Sequence, residues 1–141
     1  MKIMAIDYGD ARTGVAVCDK LEMLASPLCV IEESDEDKLI DEIIRLRDRE
    51  QSEMIVVGLP RNMDGSYGFR SDICREFADK LREKSGITVD MWDERLTTVI
   101  SYQALNGANV YGKKSKKVVD SVAAATILQD YLSYRKNKDK A

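Results

Sequence analysis

The sequence predicts an α/β fold, a five-stranded mixed sheet with helices on both faces. Three observations lead there. Three short apolar runs separated by tight turns fill the first 32 residues. Two further apolar runs, "MIVVGLP" and "ITVDMW", each follow a segment of helical period. A meander before two crossovers gives a sheet with an antiparallel and a parallel part.

The elements read off in order. "KIMAIDYG" is a strand, "TGVAVCD" a second after a tight turn, and "LASPLCVIE" a third after a turn around Lys20 to Glu22. Pro27 assigns the third strand an irregular or edge position. "SDEDKLIDEIIRLRDRE" has apolar residues at 39, 40, 43, 44 and 46, with Ser34 or Asp35 as cap and acids in its first turn. "MIVVGLP" is a continuous apolar run, as in a buried parallel strand. "NMDGSYGF" reads as a loop, "SDICREFADKLREKSG" as a helix stopped at Gly86, and "ITVDMW" as the fifth strand. "TTVISYQALNG" reads as a short helix, "NVYGKKSKK" as a basic loop, and "VVDSVAAATILQDYLSY" as a well-buried final helix.

Composition narrows the chemistry. The 141 residues, 44% hydrophobic and 33% charged, fit one domain over 1–134, with 135–141 expected as a disordered basic tail. No run approaches the ~18 to 20 apolar residues of a membrane span, and the N-terminus has no signal-peptide order; a cytoplasmic protein with no membrane partner is expected. Cys18, Cys29 and Cys74 have no CxxC spacing and read as apolar fillers. There is no histidine, which excludes Ser-His and Cys-His nucleophile pairs, an imidazole base and a His-ligated metal. Residues 1–110 carry 14 basic and 22 acidic side chains, and residues 111–141 carry 8 and 3. A basic C-terminal segment on an acidic body points to contact with something anionic.

Four acids sit where a core is expected. Asp7 ends the first strand, Asp93 and Glu94 follow the fifth, and Asp120 lies near the start of the apolar final helix, on one face with Ala123, Ala124 and Ile127. In mixed α/β sheets ligands bind at the carboxyl ends of parallel strands, which Asp7, Glu94 and the "GLP" loop would share. Three carboxylates converging there repel one another unless a proton or a cation intervenes. Mg²⁺ or Mn²⁺ takes oxygen ligands and resolves the repulsion. Two such ions about 4 Å apart support phosphodiester hydrolysis without histidine.

The motifs "DYGDARTGVAV", "VVGLPRNMDGSYGFRS", "REFADKL", "DERLTT" and "VVDSVAAATILQDYL", in this order from about residue 3 to residue 134, resemble the YqgF/RuvX family. Its members are described as Holliday-junction resolvases and as pre-16S rRNA nucleases of ribonuclease H-like fold. The resemblance implies that Asp7, Glu94 and Asp120 are the catalytic acids, that they bind Mg²⁺ or Mn²⁺, and that water activated by the metal attacks a phosphodiester. Around them, Arg61 and Asn62 are expected at a phosphate, Gly65 shapes their loop, and Arg95 orients Glu94 or meets the scissile phosphate. Gly9 and Gly14 permit a tight first hairpin. Thr97 and Thr98 are expected as helix caps. Lys113, Lys114, Lys116 and Lys117 are expected to grip a nucleic-acid backbone. Tyr8, Tyr67 and Tyr111 are candidates for base stacking, with core or surface filler as the default.

The expected function is metal-dependent cleavage of structured nucleic acid in ribosome biogenesis, at the 5′ end of pre-16S rRNA, by a monomer. One alternative is a dimeric resolvase of branched DNA, since symmetric cleavage of a four-way junction needs two sites. Another is a non-catalytic nucleic-acid or protein-binding module of the same fold. An ATPase of the actin and sugar-kinase type shares the sheet topology, but one domain of this length has no second jaw to close on a nucleotide.

Overall fold

The computed structural model describes residues 1–9, 11–59, 69–93 and 113–140. Its elements are β1 (Ile3–Asp7), β2 (Thr13–Cys18), β3 (Ala25–Ile31), α1 (Glu36–Glu50), β4 (Met54–Leu59), α2 (Phe69–Ser85), β5 (Thr88–Asp93) and α3 (Lys113–Lys140). The strands form one sheet in the order β3-β2-β1-β4-β5. β1 pairs antiparallel with β2 and parallel with β4, and β4 pairs parallel with β5. β1 thus has a neighbour on each side.

Strand alternation divides the core in two. Met4, Ile6, Val15, Ile55, Val57 and Val89 face α1 and α2, where they meet Leu39, Ile40, Ile43, Phe77 and Leu81. Ile3, Ala5, Ala16, Met54 and Val56 face the other way, against Ala124, Ile127, Leu128, Tyr131 and Leu132 of α3. Small residues meet on that second face, so an alanine-rich helix approaches the sheet closely. Each fully buried Ile or Leu contributes on the order of 1.5–3 kcal/mol.

The ends of the elements follow from local chemistry. Asp35 caps α1 by accepting from the Lys38 backbone N–H at 3.1 Å. Gln51 ends α1 in the left-handed region (φ 57°), its N–H donating to the Arg47 and Asp48 carbonyls. Gly86 ends α2 at φ 71°, donating to the Arg82 carbonyl at 2.9 Å. β3 is an edge strand, and the register shift opposite Val15 and Ala16 falls beside Pro27; proline and a bulge are devices that keep an open edge from pairing further.

The β2–β3 turn is clamped. Asp19 accepts from the backbone N–H groups of Met23 (2.8 Å) and Leu24 (3.0 Å), which hold its carboxyl below the usual range. Glu22, at φ 56°, accepts from Arg135 Nε of α3 at 2.7 Å and from the N-terminal ammonium at 3.3 Å. The Arg135 hydrogen bond is the main cause of the lowered Glu22 pKa. Chain start, turn and last helix meet at this one carboxylate.

Two expectations are corrected. Lys113, Lys114, Lys116 and Lys117 are not in a loop: α3 begins at Lys113, with no acid in its first turn. Lysines oppose the helix dipole there, which is why the sequence places the start at Val118; no Gly or Pro interrupts 113–118, and the buried stripe downstream sets the helix. Likewise, residues 135–140, expected as tail, continue α3 to Lys140, with Arg135 tied to Glu22. The expected short helix over 97–107 lies outside the described residues. Among the described residues, no helix is long and apolar enough to cross a membrane. All three cysteines are free, and burial raises the thiol pKa of Cys18 and Cys29.

Two measurements test this description. A Cβ on Gly9 would stand 2.1 Å from the Arg12 carbonyl oxygen, whereas one on Gly86 meets nothing within 4 Å and suffers only its positive φ. In urea unfolding, Gly86→Ala is expected to lose about 1 kcal/mol and Gly9→Ala more, about 2–3 kcal/mol; equal losses would contradict the tight turn. Second, Glu22 has a lowered folded pKa, so its contribution is complete above its unfolded value of about 4.3 and is lost as pH falls through the folded value. The stability gap between the parent and Glu22→Gln should be present at neutral pH and close on acidification.

Candidate active site

The site is built on one row of the sheet. Ile3 and Ala5 pack under α3, so alternation turns Asp7 to the same face. Asp7, half-buried at the carboxyl end of β1, pairs across to Gly14 of β2. On its other side the last β1–β4 pair is Ile6–Val57, so one residue further Asp7 comes level with Gly58. Gly58 in turn pairs with Trp92 of β5. Across the α3 face this row reads Gly14, Asp7, Gly58, Trp92. The carboxylate lies between two buried glycines of the flanking strands.

The turn after β1 holds Asp7 in register. Gly9 donates its N–H to Thr13 Oγ1 at 3.4 Å, and Thr13 is fully buried. The turn closes so tightly that only glycine fits at position 9. Tyr8 takes the opposite face: its ring packs edge-on against Phe77, and its hydroxyl donates to Glu36 Oε2 at 3.2 Å. Tyr8 is therefore a core residue, the default reading for it, and not a stacking group beside Asp7.

Asp120 lies in α3, seven residues inside its start and four before the buried Ala124. It is thus in the body of the helix and not at its cap, and its side chain lies outside the described residues. So do the side chains of Lys113, Lys114, Lys116 and Lys117, although their backbone is the first turns of α3. Glu94, Arg95, Thr97 and Thr98, just past β5, lie outside the described residues, as do Arg61, Asn62, Gly65, Tyr67 and Tyr111. Among the described residues no three carboxylates or thiols come together.

The donor chemistry at this end of the sheet is nonetheless restricted. Cys18 lies at the far end of the sheet, its Sγ accepting from the Ile3 N–H at 3.2 Å, and Cys29 pairs with Val15 in mid-sheet. Burial keeps both thiols protonated. Without histidine, oxygen is what the row around Asp7 offers, which fits a hard cation such as Mg²⁺ or Mn²⁺ and not a thiophilic metal.

Sequence reasoning missed the aromatic end of the row. Trp92 meets Tyr131 edge-on (5.9 Å, 84°) and Tyr134 in a tilted arrangement (5.5 Å, 52°). Tyr131 is buried and donates its hydroxyl to Asp90 Oδ2 at 2.8 Å. Burial, then this carboxylate, pushes the Tyr131 pKa up to about 12, so it remains a neutral donor. The spacing of Trp92 before Glu94, and of Tyr131 before Tyr134 on one helical stripe, was the signal available.

Comparison with known proteins agrees with this architecture. The family model for RuvX, described as "Holliday junction resolvase", matches residues 1–134. A protein of Halothermothrix orenii named "Putative pre-16S rRNA nuclease" is 46% identical over 135 residues, 96% of this chain and 96% of its own length. One of the same name from Clostridium botulinum is 41% identical over 132 residues, covering 94% and 96%. Among solved structures, Thermus thermophilus RuvC in complex with Holliday junction substrate superposes with a TM-score of 0.61 at 16% identity, covering 97% of this chain and 96% of that one. Fowlpox virus resolvase with its Holliday junction DNA gives 0.59 at 13%, covering 96% and 99%. These last two establish the resolvase-type ribonuclease H fold. With its sheet order, its row around Asp7 and a family match over nearly its whole length, the chain belongs to the RuvX family of nucleases.

Proposed function

We propose that the chain hydrolyses a phosphodiester in structured RNA, at the 5′ end of pre-16S rRNA, using Asp7, Glu94 and Asp120 with Mg²⁺ or Mn²⁺. The observation that carries this reading is the setting of Asp7: a carboxylate at the carboxyl end of the central strand, on the face that α3 covers, between two glycines. The names of relatives at 46% and 41% identity support the choice of rRNA.

Helix and strand rises support the meeting of two of the acids. Gln129 accepts from the Ala25 N–H at 3.1 Å, Ala25 pairs with Cys18, and Cys18 accepts from Ile3. Gln129 is therefore near the level of Ile3, and Arg135 lies further out, at the β2–β3 turn. From Gln129 back to Asp120 the helix advances about 13 Å; from Ile3 to Asp7 the strand advances about 13 Å. Asp120 is thereby expected at the level of Asp7. Glu94 follows directly on β5, which lies in the same parallel half of the sheet.

The divalent ion, when bound, supplies positive charge to the phosphodiester and eases ionisation of the attacking water. The remaining work belongs to the chain. Asp7 presents its carboxylate at the end of β1, between Gly14 and Gly58 of the flanking strands. Gly9 keeps β1 from shifting under it. Arg61 and Asn62 meet the phosphate, Arg95 orients Glu94, and Lys113, Lys114, Lys116 and Lys117 add their charge to the positive end of the α3 dipole, where a polyanion is attracted.

A second reading, favoured by the description of the matching family model, is resolution of a branched DNA junction by a symmetric dimer. Two experiments decide. Asp7→Asn should cut a pre-16S rRNA fragment at least about 100-fold more slowly than the parent in Mg²⁺, and the parent should stop in EDTA; equal rates in parent and variant would overturn the catalytic assignment. Light scattering should give the mass of one chain with RNA cleaved in preference to a four-way junction. A dimer that prefers the junction would replace the first reading by the second.

A further inference from the structure

The aromatic end of the row has no part in the chemistry above. Trp92 is half-buried on the α3 face of the edge strand β5. Tyr134, tilted against it, is 49% exposed. An aromatic ring held open to solvent by a second one is not needed to close the core, which Tyr131 already does at 4% exposure. The Trp92 indole N–H is buried yet has no acceptor among the described residues. A buried donor without a partner costs about 1–3 kcal/mol, and an acceptor brought by a ligand removes that cost.

Position and charge select the ligand. Two strand spacings separate Trp92 from Asp7 along the row, about 9.6 Å, with only Gly58 between them. That is a backbone spacing: the indole packs on Tyr134, which follows Asp120 by about 21 Å of helix, so a base reaches the platform a few nucleotides along the strand from a phosphate at Asp7. The helix that carries Tyr134 continues with Arg135, Lys136, Lys138 and Lys140, so the platform borders a basic segment. An aromatic surface beside cationic side chains, on the same face of the sheet as a phosphodiester site, is the arrangement that binds single-stranded nucleic acid by stacking.

We propose that Trp92 and Tyr134 form a stacking platform for an unpaired base a few nucleotides from the cleaved phosphate, so that the enzyme takes a single-stranded stretch of its substrate; this rests on the nuclease reading of the row around Asp7. The platform discriminates by base pairing: a paired base is already stacked and does not turn out onto the indole.

Trp92 is the one tryptophan of the chain, so its emission reports directly. A short labelled RNA of mixed, non-self-pairing sequence is titrated in EDTA, alone and annealed to its complement, with label anisotropy read in parallel. The single strand should quench Trp92 saturably, in step with anisotropy, and the duplex much less. Tyr134→Ala, an exposed change that leaves the core intact, should weaken single-strand binding about 5- to 100-fold, as should Trp92→Ala. Trp92→Phe, which retains a ring, should recover most of the loss, with thermal melts confirming that each variant folds. Saturable anisotropy with unchanged emission, equal quenching by duplex, or parent-like binding by both alanine variants would overturn the platform while leaving the nuclease reading intact. Absence of any RNA binding by anisotropy would likewise overturn the platform, and the nuclease reading, which needs the divalent ion, is then decided by the cleavage comparison of parent and Asp7→Asn in Mg²⁺.

Discussion

The register of β1 is the constraint on which the rest depends. Its pairing with β2 on one side and β4 on the other leaves no freedom to slip, because a shift of one residue would turn Ile3 and Ala5 toward α1 and α2 and press the larger Met4 and Ile6 against α3. With those four residues fixed, the fifth, Asp7, has no choice of face. A carboxylate is thus delivered to the end of the apolar α3 face by the same alternation that builds the core. The tight Gly9 turn immediately after it limits movement of the strand end.

Helix α3 converts that local constraint into a long-range one. Its Ala124, Ile127 and Leu128 stripe lies on small sheet residues, Ala5 and Ala16, so it approaches closely. Its far end is held by Arg135 on Glu22 and by Gln129 on the start of β3. Both ends of the molecule are therefore referred to one helix: anchoring at the β2–β3 turn sets how far along the sheet the lysine-rich beginning of α3 extends.

Charge is distributed to the same purpose. Acidic residues at and along α1 are engaged, Asp35 with the Lys38 N–H, Glu36 with Tyr8 and Lys80, and Glu42 with Arg45. Such surface pairs contribute little to stability, on the order of 0–1 kcal/mol. The basic excess of the sequence falls at the two ends of α3, where Arg135 is paired with Glu22.

Sequence alone determined the alternation of elements, the mixed sheet and the Gly86 helix end, narrowed the first cap to Ser34 or Asp35 and gave Pro27 an irregular or edge position, because each depends on residues close together in the chain. It also singled out Asp7, since a charge at the end of an apolar strand is visible without any partner. The start of α3 was not legible: lysines are poor N-terminal residues, and only burial of the stripe seven and more residues later makes helix the better state at 113–117. Nor was the row Gly14, Asp7, Gly58, Trp92 legible, because its members come from four strands separated by up to 85 positions and are neighbours only through hydrogen-bonded register. Periodicity tells which face a residue takes on its own element. Which residues of other elements share that face is decided by strand pairing and helix packing, and these exist only in the folded chain.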